Sequence, residues 1–378
     1  MLVVVFRVDA SFEIGSGHVM RCLTLANALR QLGVGCCFIC REHPGNLIEH
    51  IRQQGFEVYT LPIVDGFKQD KGSVGTSIPI HSEWLGSTWQ NDAVASLSLL
   101  NDLKPSWVFV DHYALDERWE SFVRPSCRFL GVMDDLHDRP HNCDLLVDQT
   151  LGLTSEIYSS LVPVSCETLV GAEYALLRPE FQVLRKASIA RRDSSPMLKH
   201  IFVNLGGVDK NNVTCRVLEG IEQSVLPNDC KVTVVMGVTA QHVNQVKTMA
   251  GSCRMNVSVL VGANNMAELM SAADIAIGAA GSTTWERCCL GLPSIMVVLA
   301  ENQRDIAKQL SNRGIADVVF NINTDFENDI ANALNCLTPK KLELLSHASR
   351  RVTDGGGAAF VAARIFNKEG FDADISRS

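Results

Sequence analysis

Residues Arg7 to Cys22 read RVDASFEIGSGHVMRC, and the fold turns on them. An apolar run, Leu2 to Phe6, comes just before. Behind it Val19, Cys22, Leu23, Ala26 and Leu29 recur at helical spacing. The stretch is therefore a strand, a glycine-bearing loop and a helix start. In open α/β sheets that junction faces the ligand crevice. Gly15 and Gly17, with Ser16 between them, let the backbone come close to a bound group. His18 falls in the first helical turn, where the positive end of the helix dipole disfavours an imidazolium. A neutral imidazole beside a substrate can take a proton from water, so His18 is the candidate catalytic base. A plain glycine turn with an incidental histidine fits the same residues, and the motif alone does not separate the two.

The rhythm of the chain extends this. CCFIC after Gly33 reads as a second strand, Leu47 to Gln54 as a helix and Phe56 to Leu61 as a third strand. This βαβαβ order predicts an α/β protein with a parallel, doubly wound sheet. Asp65 to Pro79 is polar and reads as an exposed loop. In HSEWLG, His81 to Gly86, the tryptophan and histidine either line a site or pin the loop. A helix over 90–103 leads to strand 107–113, with Asp111, His112 and Tyr113 at its crevice end. Strand 128–135 ends in Asp134 and Asp135. With His137, Asp138 and His141 these suggest a metal cluster on paper, but the ligand spacing matches no known pattern, and no metal is expected. CDLLVDQT gives another short strand, and 171–181 leads into a helix. The charged run that follows, with Arg185, Lys186, Arg191 and Arg192, reads as a solvated linker. The expected organisation is a first domain over 1–185, a linker over 186–198 and a second domain over 199–378.

HIFVNLGGVDK, 200–210, repeats the opening layout: strand, then Gly206 and Gly207, then Asn211 and Asn212 opening a helix. KVTVVMG and NVSVLVG are further strands, and a helix lies over 266–272. In 273–303, strand DIAIG meets a loop at Gly278 and Gly281, and Ser282, Thr283 and Thr284 cap a helix. Free N–H groups at such an end suit a diphosphate. Glu286 could accept hydrogen bonds from ribose hydroxyls. An ordinary capped helix with an acid in its first turn fits equally well. Asn302 and Gln303 sit just past the next strand, and the tail after Phe366 reads as loose.

Composition narrows the function. The chain has 378 residues, 46% hydrophobic, with net charge −8. No basic block could track a phosphate backbone, so nucleic acid is not an expected partner. The thirteen cysteines lack paired CxxC spacing and lie in apolar segments, which points to core thiols, not zinc. MLVVVFRVD is too short and too charged for a signal peptide, and no apolar run reaches membrane-spanning length. A soluble, cytoplasmic protein is expected.

Taken together, GSGHVMRCLTLA, HSEWLG, VDHY, MDDL, YALLRPEF, LGGVD, GSTTWERCCLGLPS and ENQ stand in an order that resembles the UDP-sugar hydrolases of pseudaminic acid biosynthesis, the PseG family. Spore-coat polysaccharide proteins of the SpsG type share much of the pattern. The resemblance runs from Arg7 to about Gly314 and implies a GT-B-like architecture, two Rossmann-like domains facing a central cleft. It implies inverting, metal-independent hydrolysis at the anomeric carbon of UDP-2,4-diacetamido-2,4,6-trideoxy-β-L-altropyranose, with no cofactor. His18 matches the family's base. Tyr113, Arg178 and Asn302 match positions that contact substrate, and Gly281, Ser282, Thr283, Thr284 and Glu286 match the UDP cradle. Gly207 and Gln303 are further candidate substrate-binding residues. Val208, Lys210 and the long loop at 65–79 depart from the pattern and leave the sugar open. A GT-B glycosyltransferase and a non-catalytic nucleotide-sugar binder are the alternatives. Oligomeric state is not written in the sequence.

Overall fold

The computed structural model describes residues 2–63, 79–194 and 197–370, with the side chain of Asn302 left out. The expected loop at 65–79 thus lies outside the described residues except for Pro79. The chain forms two compact units. One is Met1–Leu176 joined by Gly357–Ser378; the other is Leu177–Gly356.

In the first unit the elements are β1 (Val3–Val8), α1 (Gly17–Gln31), β2 (Gly35–Arg41), α2 (Ile48–Gln53), β3 (Glu57–Leu61), α3 (Trp89–Leu103), β4 (Trp107–Asp111), α4 (Glu117–Val123), β5 (Phe129–Met133), β6 (Leu145–Asp148) and β7 (Glu167–Val170). The sheet is parallel, in the order β3-β2-β1-β4-β5-β6-β7. Its strands are almost wholly apolar because both faces are covered. Val4, Phe6 and Val8 pack on one side with α1, while Val3 and Val5 pack on the other with α3 and α4. Gly131 is required in β5, since a Cβ there would come within 2.4 Å of the Phe109 ring. Strand order reverses between β1 and β4, so the loops that follow these two strands open a crevice at the switch point.

The second unit holds α5 (Pro179–Ser194), β8 (His200–Asn204), α6 (Val213–Gln223), β9 (Lys231–Met236), α7 (Val243–Ser252), β10 (Asn256–Val261), α8 (Met266–Ala272), β11 (Ile275–Ala279), α9 (Thr283–Cys289), β12 (Ser294–Val297), α10 (Arg304–Asn312), β13 (Asp317–Val319), α11 (Phe326–Asn335) and α12 (Pro339–Ser349). Its sheet, β10-β9-β8-β11-β12-β13, is also parallel and reverses between β8 and β11. The last helix, α13 (Gly357–Lys368), packs on α1 in the first unit through Val361, Ala362 and Ile365.

Three expectations need correction. The boundary falls at Leu176, ahead of the expected 185, and the stretch read as a linker over 186–198 is largely helix α5. Of its charge run Lys186 alone is exposed, and the three arginines are engaged with the rest of the unit. Buried Arg192 donates to the carbonyls of Met270, Ala273 and Leu290, and Arg185 to those of Cys289, Arg350 and Thr353. These side chains satisfy orphan carbonyls at helix ends, a use that composition does not reveal. Lastly, of the tail after Phe366, α13 runs on to Lys368, which donates to the Asp144 carbonyl, and Glu369 pairs with Arg128, while 371–378 lie outside the described residues.

The first sheet is tied to its helices by a buried ionic network. Arg7 is fully buried, donating to Asp9 at 2.7 and 2.9 Å and to Asp92 of α3 at 2.7 and 3.1 Å. Asp92 also accepts from Arg41 at 2.6 Å and from the Trp119 indole at 2.9 Å. Replacing Asp92 with Ala would leave Arg7 with Asp9 alone and Arg41 without a carboxylate on its side chain, and urea unfolding should show a loss of about 3–5 kcal/mol. A second buried acid acts in the opposite sense. Burial pushes Asp148, at the end of β6, up from 3.8 to about 6, against the hydrogen bond from Thr150. The unfolded chain releases this proton first, so its contribution to stability is present below about 3.8 and lost as pH rises through about 6. Asp148→Asn should therefore match wild type near pH 4 and exceed it by about 1–3 kcal/mol at pH 7 in the same assay.

Candidate functional site

The switch point of the first unit gathers the residues that the opening stretch singled out. Ser11 and Gly15 form a small bridge after β1, and Gly15 turns the chain at φ +80°, a value glycine takes without strain. Ser16 sits at the N-cap of α1 without a side-chain cap, and Gly17 and His18 begin the helix. His18 is buried, and its Nδ1 lies 2.5 Å from Asp111 Oδ1 at the end of β4. This carboxylate partner is the main feature missed by a reading based on the helix dipole alone. Arg21, one turn further along α1, grips the same carboxylate at 2.6 Å with both Nε and Nη2. Burial pushes the Asp111 carboxyl up, but Arg21 and His18 outweigh it and hold it well below the usual carboxylate range. An ionised carboxylate only accepts, so His18 Nδ1 carries a proton, and in the neutral imidazole Nε2 is the acceptor. Arg21 Nη2 lies 3.2 Å from Nδ1 because both donors share Oδ1.

The remaining guanidinium nitrogen of Arg21, Nη1, donates to Asp135 at 2.9 Å, and Asp135 accepts the Tyr113 hydroxyl. The Tyr113 ring meets His18 edge-on at 4.5 Å. HSEWLG is part of this cluster: His81 and Trp84 lie 5.5 and 5.9 Å from the Tyr113 ring, and buried Leu85 anchors the turn. The motif thus both pins its loop and borders His18. Arg21, three residues after His18 on the same helical face, could have been found by that spacing.

The acidic residues suggested as a metal cluster are spent otherwise. Asp134 accepts from the His137 amide and the Tyr158 hydroxyl and pairs with Arg139, while His141 meets Glu120 at 2.6 Å. Among the described residues no group of three or more His, Cys, Asp or Glu side chains is arranged to hold a metal.

The switch point of the second unit brings two glycine turns onto neighbouring strands. Gly206 and Gly207 follow β8, and Gly281 follows β11. Gly207 lies so close to Gly237 that a Cβ on the latter would come within 2.1 Å of its carbonyl. Asp209 caps α6, accepting from the amides of Val213 and Thr214. A Cβ on Gly281 would meet nothing within 4 Å. Ser282 stands at the N-cap of α9, but the expected side-chain cap is not made. Thr283 and Thr284 instead accept from Arg287, which also donates to the Ala279 carbonyl at 2.8 Å. Burial pushes Arg287 down to about 10, and its guanidinium fills the space left by Gly278.

Glu286 Oε1 lies 3.6 Å from Arg178, which also reaches Glu180 at 3.1 Å. Glu286 Oε2 is buried and takes no hydrogen bond among the described residues. Burial pushes this carboxyl up, with Arg178 opposing it. Asn302 and Gln303 lie in a single 3₁₀ turn after β12, where Gln303 accepts from the Leu299 amide at 3.0 Å. That turn borders a groove of about 600 Å³, lined among others by Asn211, Glu301, Arg304 and Asn323. The structure thus groups Gly15, Ser16, Gly17, His18 and Tyr113 in one unit, and Arg178, Gly207, 281–284, Glu286 and 302–303 in the other.

Residues 201–358 match the glycosyltransferase family 28 C-terminal domain. The chain is 23% identical to the UDP-2,4-diacetamido-2,4,6-trideoxy-β-L-altropyranose hydrolase of Campylobacter jejuni, over 82% of this chain and 97% of that one. It is 26% identical to the uncharacterized protein MJ1062 of Methanocaldococcus jannaschii, over 79% of this chain but only 56% of that protein. The spore coat polysaccharide biosynthesis protein SpsG of Bacillus subtilis is 30% identical over 39% of this chain and 42% of its own. Among solved structures, MurG of Acinetobacter baumannii superposes with a TM-score of 0.66 at 14% identity, covering 97% of this chain and all of that one. Two parallel-sheet Rossmann-like units with such neighbours make the fold GT-B. The chain is thus similar in sequence to a PseG-type hydrolase and to SpsG, and it shares its fold with GT-B proteins.

Proposed function

We propose that this chain is an enzyme that processes a UDP-sugar in polysaccharide biosynthesis, and that its reaction is hydrolysis at the anomeric carbon. The sugar nucleotide named for the Campylobacter relative, UDP-2,4-diacetamido-2,4,6-trideoxy-β-L-altropyranose, is the proposed substrate. The observation that carries the hydrolytic reading is the bond between His18 Nδ1 and Asp111, which leaves Nε2 as the basic nitrogen. Water gives a proton to Nε2 as its oxygen attacks the anomeric carbon with inversion. The bond from that carbon to the β-phosphate oxygen breaks, and UDP departs with the electron pair. UDP is a good leaving group, so a positioned base is the chief requirement.

In the second unit the turns at Gly207 and Gly281, with Ser282, Thr283 and Thr284, are proposed to hold the diphosphate. Arg178, Asn302 and Gln303 are proposed substrate contacts. Glu286 Oε2, buried without a partner, is suited to accept ribose hydroxyls. No helix among the described residues is long and apolar enough to cross a membrane.

A transferase is the second reading, favoured by the family 28 match. The two separate in one assay. The purified chain should release UDP and free sugar from this substrate without any acceptor; release only after an acceptor is added would make it a transferase. His18→Ala should lower kcat by about 10²–10⁴-fold. Asp111→Asn should cost a similar order, since the imidazole loses the partner that fixes its tautomer. Circular dichroism would confirm that both variants fold; a wild-type rate in His18→Ala would remove His18 from the mechanism, and one in Asp111→Asn would remove the tautomer role of Asp111. Glu286→Gln should raise KM by about tenfold with a smaller change in kcat, the mark of a binding contact.

A further inference from the structure

We propose that Asp135, braced by Arg21, makes the Tyr113 hydroxyl an acceptor towards substrate, and so selects UDP-sugars with an N–H or O–H donor on the carbon next to the anomeric centre. The inference rests on the UDP-sugar reading above and adds a positioning pair to it. A phenol has one proton to give. Here it goes to Asp135 Oδ1, while Asp135 Oδ2 accepts from Arg21 Nη1 at 2.9 Å. A carboxylate in an ion pair only accepts, so the shared proton belongs to Tyr113. Only the lone pairs of Oη are left for anything else, and among the described residues no other group bonds to it.

The ring is held from more than one side. His18 meets it edge-on at 84°, Trp84 stacks at 29°, and His81 lies 5.5 Å away. Arg21 is therefore shared between two tasks. Two of its nitrogens hold Asp111 behind the base, and the third holds Asp135 behind the phenol. Because the phenol lies beside His18, the substituent it meets is one near the reacting carbon. An acetamido N–H or a hydroxyl satisfies the lone pair; a fluorine or hydrogen leaves it dry and unpaired, a costly outcome at a buried site.

Calorimetry on the full chain tests this with UDP-N-acetylglucosamine, the 2-deoxy-2-fluoro analogue of UDP-glucose, and UDP alone. Wild type should bind the acetamido sugar at least about tenfold more tightly than the fluoro sugar. Tyr113→Phe should bring that ratio close to one with UDP affinity unchanged. Asp135→Asn can donate an amide N–H to Oη and free the phenol proton, so it should also collapse the ratio or reverse it. A purely structural role for Asp135 would weaken both sugars alike. A wild-type ratio near one, or a ratio unmoved by both variants, overturns the proposal. If UDP and both sugars fail to bind wild type, the UDP-sugar reading falls and takes this inference with it. If they bind and the proposed altropyranose substrate is not hydrolysed, only the hydrolytic reading falls and the ratio still decides.

Discussion

Arg7 has no contact with solvent, and that single constraint shapes the floor of the first unit. A charge taken out of water must be met by opposite charge and by hydrogen bonds at nearly every donor. Asp9 meets it from the end of its own strand, Asp92 from α3. Asp92 in turn gathers Arg41 at the end of β2 and Trp119 in α4, so one carboxylate fastens two strand ends and two helices. Such pairs are weak evidence of added stability, because desolvation offsets much of the attraction. What they fix is geometry: strand ends cannot slide without breaking several buried bonds at once.

The three residues at the end of β4 use that fixed floor. Asp111 faces α1 and holds His18 and Arg21. His112 turns inward, its Nδ1 accepting from the Ala114 amide and its Nε2 lying 3.2 Å from Asp9. Tyr113 reaches across to Asp135 beyond β5. Consecutive side chains thus tie one strand terminus to three neighbours, and the base is set by parts that are themselves held.

Much of this was legible in the sequence, and the limits have physical causes. Alternation and apolar runs located the strands around the switch points because those strands are buried on both faces. GSGH falls at the switch point because it follows β1, whose loop opens beside that of β4. β7 escaped notice because it is a four-residue edge strand with little apolar signature. The partners of His18 escaped because Asp111 lies 93 residues away, and parallel pairing of β1 with β4, not local spacing, brings them together. The boundary was misplaced for a related reason. Arg185, Arg191 and Arg192 look like solvent-facing charge until the carbonyls they cap are known. No sequence period records where a helix will end against another part of the chain.

Helix α13 has a consequence for how the molecule comes into being. It belongs to the first unit, yet the whole of the second unit stands between it and β7. On the ribosome the first sheet is therefore complete long before its covering helix exists, and α1 must wait for α13 to pack against it. The second unit can close as one continuous stretch while the first is still unfinished. In the order of birth, the segment that seals the first unit is made after everything it has to seal.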